Sequence, residues 1–216
     1  YLKQFLLLGI ICMISKQVIL AQGHVADSLH TLLANTKDER RKVSLLNELG
    51  RHYFFELGKQ DSAIILIKKS REIAAKKGYI QLQIEGLMHL ANHYNKNAKN
   101  EKLFSISMRE ALALAKQYGL KAEEAEVFKN LGLGYFRLGL YDSAKHYTDS
   151  ALILVDNYTL TDKKADFLTH LAIQLLVSNP DSAKTISYNV LKIAKANNQK
   201  REEAFALELL AFLYRG

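Results

Sequence analysis

The chain has 216 residues, 49% of them hydrophobic, with one proline, no tryptophan and eleven glycines. Richness in Leu, Ala, Lys and Glu points to an all-α fold rather than a many-stranded sheet, and the single cysteine, Cys12, excludes an intrachain disulfide and a cysteine-based zinc site. The formal charge of +8 raises nucleic acid and acidic membranes as partners, but lysines are scattered beside glutamates and aspartates along the chain, as at Asp38–Lys42 and Glu72–Lys76. Such i, i+4 pairs read as solvated helix faces, and no nucleic acid is expected to bind through this region.

Residues 1–21 carry a lysine, an apolar run from Phe5 to Ile14, a polar Ser15-Lys16-Gln17 and then Leu20-Ala21. This order is that of a cleaved secretory signal peptide, with cleavage after Ala21. Ten apolar residues are too few for a bilayer-spanning helix, which takes about 20. An uncleaved anchor and a cytosolic apolar helix are the alternatives. Residues 22–36 form a leading segment with a short helix from Asp27-Ser28-Leu29 to Leu33. Thr36-x-x-Glu39 has the spacing of a capping box at the start of the next helix.

From residue 37 onwards a pattern recurs: a large apolar residue, leucine three later, a small residue next, and usually a tyrosine three beyond. It occurs as Leu46-x-x-Leu49-Gly50-x-x-Tyr53, Leu87-x-x-Leu90-Ala91-x-x-Tyr94 and Phe128-x-x-Leu131-Gly132-x-x-Tyr135. Leu168-x-x-Leu171-Ala172-x-x-Leu175 and Leu207-x-x-Leu210-Ala211-x-x-Tyr214 complete it. The anchoring leucines are 41, 41, 40 and 39 residues apart, which divides the array into 37–78, 79–119, 120–158, 159–198 and a partial 199–216.

The second half of each unit is patterned too. Asp61-Ser62-Ala63, Asp142-Ser143-Ala144 and Asp181-Ser182-Ala183 open second helices, with Asp and Ser as candidate caps and Pro180 near a first helical position. Small residues return at Ser70, Ala111 and Ala151, with Val190 in the last full unit. Gly78 and Gly119 are predicted left-handed ends, each followed by an apolar residue, and Asn157 and Asn198 take the equivalent place. The small residues let helices approach closely, and a hairpin that cannot bury its apolar stripe alone must stack on its neighbours.

These residues resemble the tetratricopeptide repeat (TPR), in a long-period variety, over about residues 37–216. The resemblance implies an all-α helical-hairpin solenoid, a right-handed superhelix of about four full repeats plus the first helix of a fifth. The sequence departs from the family where leucines replace the leading aromatic, where the closing proline is absent, and where Phe104 replaces the helix-B alanine.

Sequence offers little chemistry. His89 and His93 share an i, i+4 spacing, without a third ligand at readable distance, and read as a surface pair rather than a metal site. Gly132-x-Gly134 lies inside a helix without a preceding strand, so it is not a phosphate loop. No nucleophile–base pattern is visible; no catalytic residue, metal or cofactor is expected. By the family's geometry, the inward face of the first helices carries Arg51, Phe54, Met88, Asn92, Asn95 and Lys129, followed by Leu133, Phe136, Ile173 and Leu176. One reading is a peptide groove in which Asn92 and Lys129 hold a carboxylate. The other is a set of solvated polar residues and apolar residues packed on later repeats.

The last stretch, Ala204 to Tyr214, is apolar except for Glu208, whereas a terminal cap has a polar outer face. Continuation of the chain into further repeats is therefore expected. Leader, leading helix and array together resemble the exported N-terminal region of bacterial signalling proteins, in which a histidine kinase or DNA-binding domain comes next. The expected function is non-catalytic binding of a protein or peptide ligand, periplasmic or membrane-attached, with a free-standing periplasmic or surface adaptor as the alternative. Membrane contact is expected only through an uncleaved leader or a downstream helix; the sequence does not fix the oligomeric state.

Overall fold

A computed structural model describes residues 24–96, 100–176 and 179–215, so the leader-like residues 1–21 lie outside the described residues. The fold is all-α, a helical repeat. Residues 24–35 form α1, followed by α2 (Glu39–Phe55), α3 (Gln60–Lys77), α4 (Ile80–Lys96), α5 (Glu101–Gln117) and α6 (Lys121–Arg137). Then come α7 (Tyr141–Asn157), α8 (Thr161–Leu175), α9 (Pro180–Ala196) and α10 (Lys200–Leu213). No strand occurs among the described residues. The chain divides into two compact units, one up to His93 and one from Tyr94.

In the first unit the leading helix is part of the core. Ala26 and Leu29 of α1 are buried with Leu45 and Leu49 of α2, flanked by Leu33, Tyr53, Leu57 and Leu66. The His30 ring nitrogen lies 2.8 Å from the Tyr53 hydroxyl on the same contact. Helices α2 and α3 approach closely because Gly50 leaves no side chain between them; a methyl there would stand 2.6 Å from Ile67 Cγ1. Polar groups are buried at the same junction. Ser70 donates to the Asn47 side-chain oxygen at 2.7 Å, while Asn47 Nδ2 donates to the Leu82 carbonyl (3.2 Å) and Glu85 (3.3 Å) of α4. Pairing of this kind is what allows a fully buried asparagine, since an unpaired one costs about 1–3 kcal/mol.

The second unit repeats the construction. Ala125, Ala151, Val155 and Phe167 join α6, α7 and α8, and Ala165, Leu168, Val190 and Ala206 join α8, α9 and α10. The second helix of each hairpin buries one stripe at 4-3-4 spacing: Ala63, Ile67, Ser70, Ala74 in α3 and Ala144, Thr148, Ala151, Val155 in α7. Helix α9 does so with Ala183, Ser187, Val190 and Ala194, and α5 with Phe104, Met108, Ala111 and Ala115. That spacing keeps the buried residues on one side of a 3.6-residue helix.

Phe104 is fully buried, and its ring occupies the space that Gly134 of α6 leaves empty. The two glycines of Gly132-x-Gly134 are thus both packing slots, Gly132 for Ala144 and Thr148 of α7 and Gly134 for Phe104 of α5.

Helix ends follow one rule at the C-terminus and a looser one at the N-terminus. Gly78 and Gly119 are left-handed (φ 68° and 65°), and the following amides, of Tyr79 and Leu120, bond back to Ala74 and Ala115 at 2.9 Å. This double closure satisfies the last carbonyls. Asn198 takes the same place at φ 54°, but Asn157 does not: it ends α7, and Thr159 is the left-handed residue, at φ 50°.

The expected N-caps also shift. Asp38, not Thr36, caps α2 by accepting from the Arg40 amide at 2.9 Å, while the Thr36 amide closes α1 onto Leu32. Asp61, Asp142 and Asp181 stand inside the first turn rather than before it, where their charge faces the positive helix end. Among these three helices only α9 has a side-chain cap, Asn179, which accepts from the Ser182 amide with Pro180 following it. Lys42 pairs with Glu39 at 2.6 Å, in place of the expected Asp38.

Candidate functional site

The residues expected to line a groove have different environments. In the first unit Arg51 is exposed, whereas Phe54 is buried, edge-on to Phe55 (4.7 Å between centroids) and His93 (5.0 Å). Met88 and Asn92 are half-buried. Below them Glu85 lies 3.4 Å from the His89 ring. Burial raises the Glu85 carboxyl, but the bonds from His89 and Asn47 and the charge of Arg51 outweigh it and hold it below the ordinary glutamate range. His89 is thus engaged by a carboxylate; among the described residues no three His, Cys, Asp or Glu side chains converge as a metal site would require.

In the second unit Asn95 is buried, and Leu133, Phe136, Ile173 and Leu176 are half-buried. Lys129 is buried and already neutralised. Its ammonium lies 2.5 Å from both Glu126 and Asp166 and 5.0 Å from the centroid of the Phe167 ring. Burial would lower Lys129, yet the two carboxylates hold it above the ordinary lysine value. Asp166, pushed up by burial, is drawn below the ordinary range by Lys129 first and by His170 and Arg201 after it. A ligand carboxylate at Lys129 would therefore compete with two resident ones at this partly buried site. Within the fold, the carboxylates that Lys129 holds are those of Glu126 and Asp166.

The same network contains His170. Its Nδ1 is 2.8 Å from the Asp166 carbonyl and 3.7 Å from the Asp166 carboxylate. Burial, then the nearby Lys129 charge, keep the imidazole below its ordinary pKa. The cluster ties α6 to α8 and is a structural junction.

Phe136, among the predicted residues, opens onto a substantial hollow. It lines a cleft of about 670 Å³ between α7, α8 and α9, within the range of ligand sites. Tyr141, Leu171, Leu175 and Ile186 supply its apolar walls. The rings of Phe136 and Tyr141 meet edge to face at 5.6 Å. Polar groups stand around these walls: Asp142, Lys145 and Asp149 on α7, and Asn179 and Ser182 at the start of α9. Lys145 is paired with Asp149 at 2.5 Å, and Gln174 is held by Thr148 at 2.9 Å. No protein-family model matches this chain, and no curated protein matches it.

The cleft departs from the expected groove in its parentage. It is built mainly from the start of two second helices, not from the inward face of first helices, so Tyr141, Asp142, Lys145 and Ile186 are absent from the residues expected to line it. The signal for Asp142 is present in the recurring Asp-Ser-Ala, whose aspartate proves not to be a cap and is exposed instead. Nothing in a single sequence marks Ile186. No helix among the described residues is long and apolar enough to cross a membrane.

Proposed function

We propose that this chain is a non-catalytic protein–protein interaction scaffold of tetratricopeptide type. The observation that carries this reading is the large cleft between stacked hairpins, walled by aromatic and aliphatic side chains and ringed by carboxylates and amides. Such a hollow, fixed by helices rather than loops, suits recognition of a protein segment by buried anchors and a polar rim. The leader-like pattern of residues 1–21 ahead of the array further supports an exported binding region of a larger bacterial signal-transduction protein, with a histidine kinase or DNA-binding output. The same pattern supports a periplasmic location.

Photo-crosslinking in the producing cell tests the scaffold. A benzophenone amino acid placed at Phe136 is expected to give a discrete adduct with one or a few proteins, and adducts absent from this position and from Arg51 alike would count against it. Fusion of the complete chain to alkaline phosphatase tests export: an inactive, uncleaved fusion would remove the exported reading and leave the scaffold.

A further inference from the structure

We propose that the α7–α8–α9 cleft binds an extended peptide segment of a partner protein, one that sets a large apolar side chain beside a lysine or arginine. This rests on the scaffold reading and gives it a ligand class.

Shape favours a segment over a compact small molecule. A second hollow of about 270 Å³ adjoins the cleft, lined by Asp181, Ser182, Thr185 and Ile186. Ser182 and Ile186 line both, which sets the two side by side along the start of α9 as the candidate track. The apolar wall of Phe136, Leu171, Leu175 and Ile186 has room for a leucine- or phenylalanine-sized anchor, whose full burial contributes about 1.5–3 kcal/mol.

Charge decides what stands beside that anchor. The chain as a whole is basic, at +8, but the track has three carboxylates, Asp142, Asp149 and Asp181, against one cation, Lys145. Lys145 and Asp149 neutralise one another. Asp142 and Asp181 form no ion pair within 4 Å among the described residues; Lys184, the cation nearest in sequence to Asp181, lies over the Tyr214 ring at 3.8 Å and acts on Asp181 only through longer-range charge. Part of the charge of Asp142 and Asp181 offsets the helix ends on which they sit, about half a unit each. A net negative track remains.

Tyr141 adds a second cation-seeking element. Tyr141 as a residue is 65% exposed, adjoins Asp142 in sequence, and its ring is braced by Phe136. An aromatic face next to a carboxylate is an arrangement that suits a guanidinium or ammonium group.

The test uses the full chain against a phage-displayed library of random dodecapeptides, followed by fluorescence anisotropy with the selected peptides. The expected consensus places Leu or Phe next to Lys or Arg. Tyr141→Ala is expected to weaken binding about tenfold, as loss of an aromatic anchor does. Asp142→Lys is expected to weaken it severalfold, and added salt to weaken it further. Both side chains are exposed, so helicity should be unchanged by circular dichroism. Selected peptides that are acidic, or that bind both variants as tightly as the parent, overturn the cleft inference; loss of their binding on Arg51→Glu would then keep the scaffold reading. Failure to select any peptide removes the cleft inference, and the cross-linking result then decides the scaffold reading.

Discussion

Size complementarity between single positions explains a departure that the repeat pattern leaves unaccounted for. Where other hairpins have Ala63 or Ala144, α5 has Phe104; where the following first helices have His93 or Gln174, α6 has Gly134. The large ring of Phe104 is matched by the missing side chain of Gly134. Gly134→Ala alone should destabilise the fold although alanine favours helices by about 1 kcal/mol, because the methyl overlaps a ring that is fully buried and overpacking costs about 1–3 kcal/mol. Phe104→Ala alone should cost about 3–5 kcal/mol through the cavity it leaves. The double variant Phe104→Ala/Gly134→Gln installs the residue types found at Ala144 and Gln174, and urea unfolding should show it to be more stable than the sum of the singles by at least about 1 kcal/mol. Strict additivity would refute the complementarity.

At the level of elements, helix termination offers a further check. Four second helices end in left-handed residues: Gly78, Gly119, Thr159 and Asn198. Thr159 is the misfit, since a β-branched side chain at φ 50° costs about 1–2 kcal/mol relative to glycine. Glycine loses about 0.5–1 kcal/mol more chain entropy on folding, so Thr159→Gly should gain up to about 1 kcal/mol. A rise of about 2–4 °C in melting temperature is the expected reading, and a fall would show that Thr159 makes a compensating contact. The same ends show what sequence can convey. The all-α repeat is legible because Leu49, Leu90 and Leu131 fall on buried helix faces beside Gly50, Ala91 and Gly132, a purely local pattern. Gly78 and Gly119 are legible because glycine has few other reasons to recur there. Thr159 is not, because threonine is chosen against its own preference. The partners of Lys129 and Asn47 are hidden for another reason: Asp166 and Glu85 lie about forty residues away, and only the stacking offset between helices decides which charges and amides meet.

For the molecule as a whole, energy is held in neighbour-to-neighbour contacts, α2 with α3, and α5 through α10 each with helices one or two places along. A nearest-neighbour array loses stability locally. Gly134→Ala should therefore lower hydrogen-exchange protection in α5–α8 and leave α2 and α3 near their original values; equal loss in every helix would contradict this. Stability against pH sums groups from both units. His170 stays neutral in the fold below its ordinary value, through burial and then Lys129, so the unfolded chain takes up that proton first and stability falls as pH drops below about 6.5. Asp166 and Glu85, both lowered in the fold, stay ionised after the unfolded chain has begun to protonate, so a second decline begins below about 4.5. Lys129 is raised, so its contribution is present below about 10.5 and is lost as pH climbs through the raised value. Urea unfolding should give a plateau from about pH 7 to 10, a shallow fall to about pH 5 and a steep one below. His170→Gln should flatten the shallow step alone. If that step survives the substitution, the titrating group is elsewhere; if both steps vanish, His170 also holds Asp166 and Lys129 in register, through the bond between its ring and the Asp166 carbonyl.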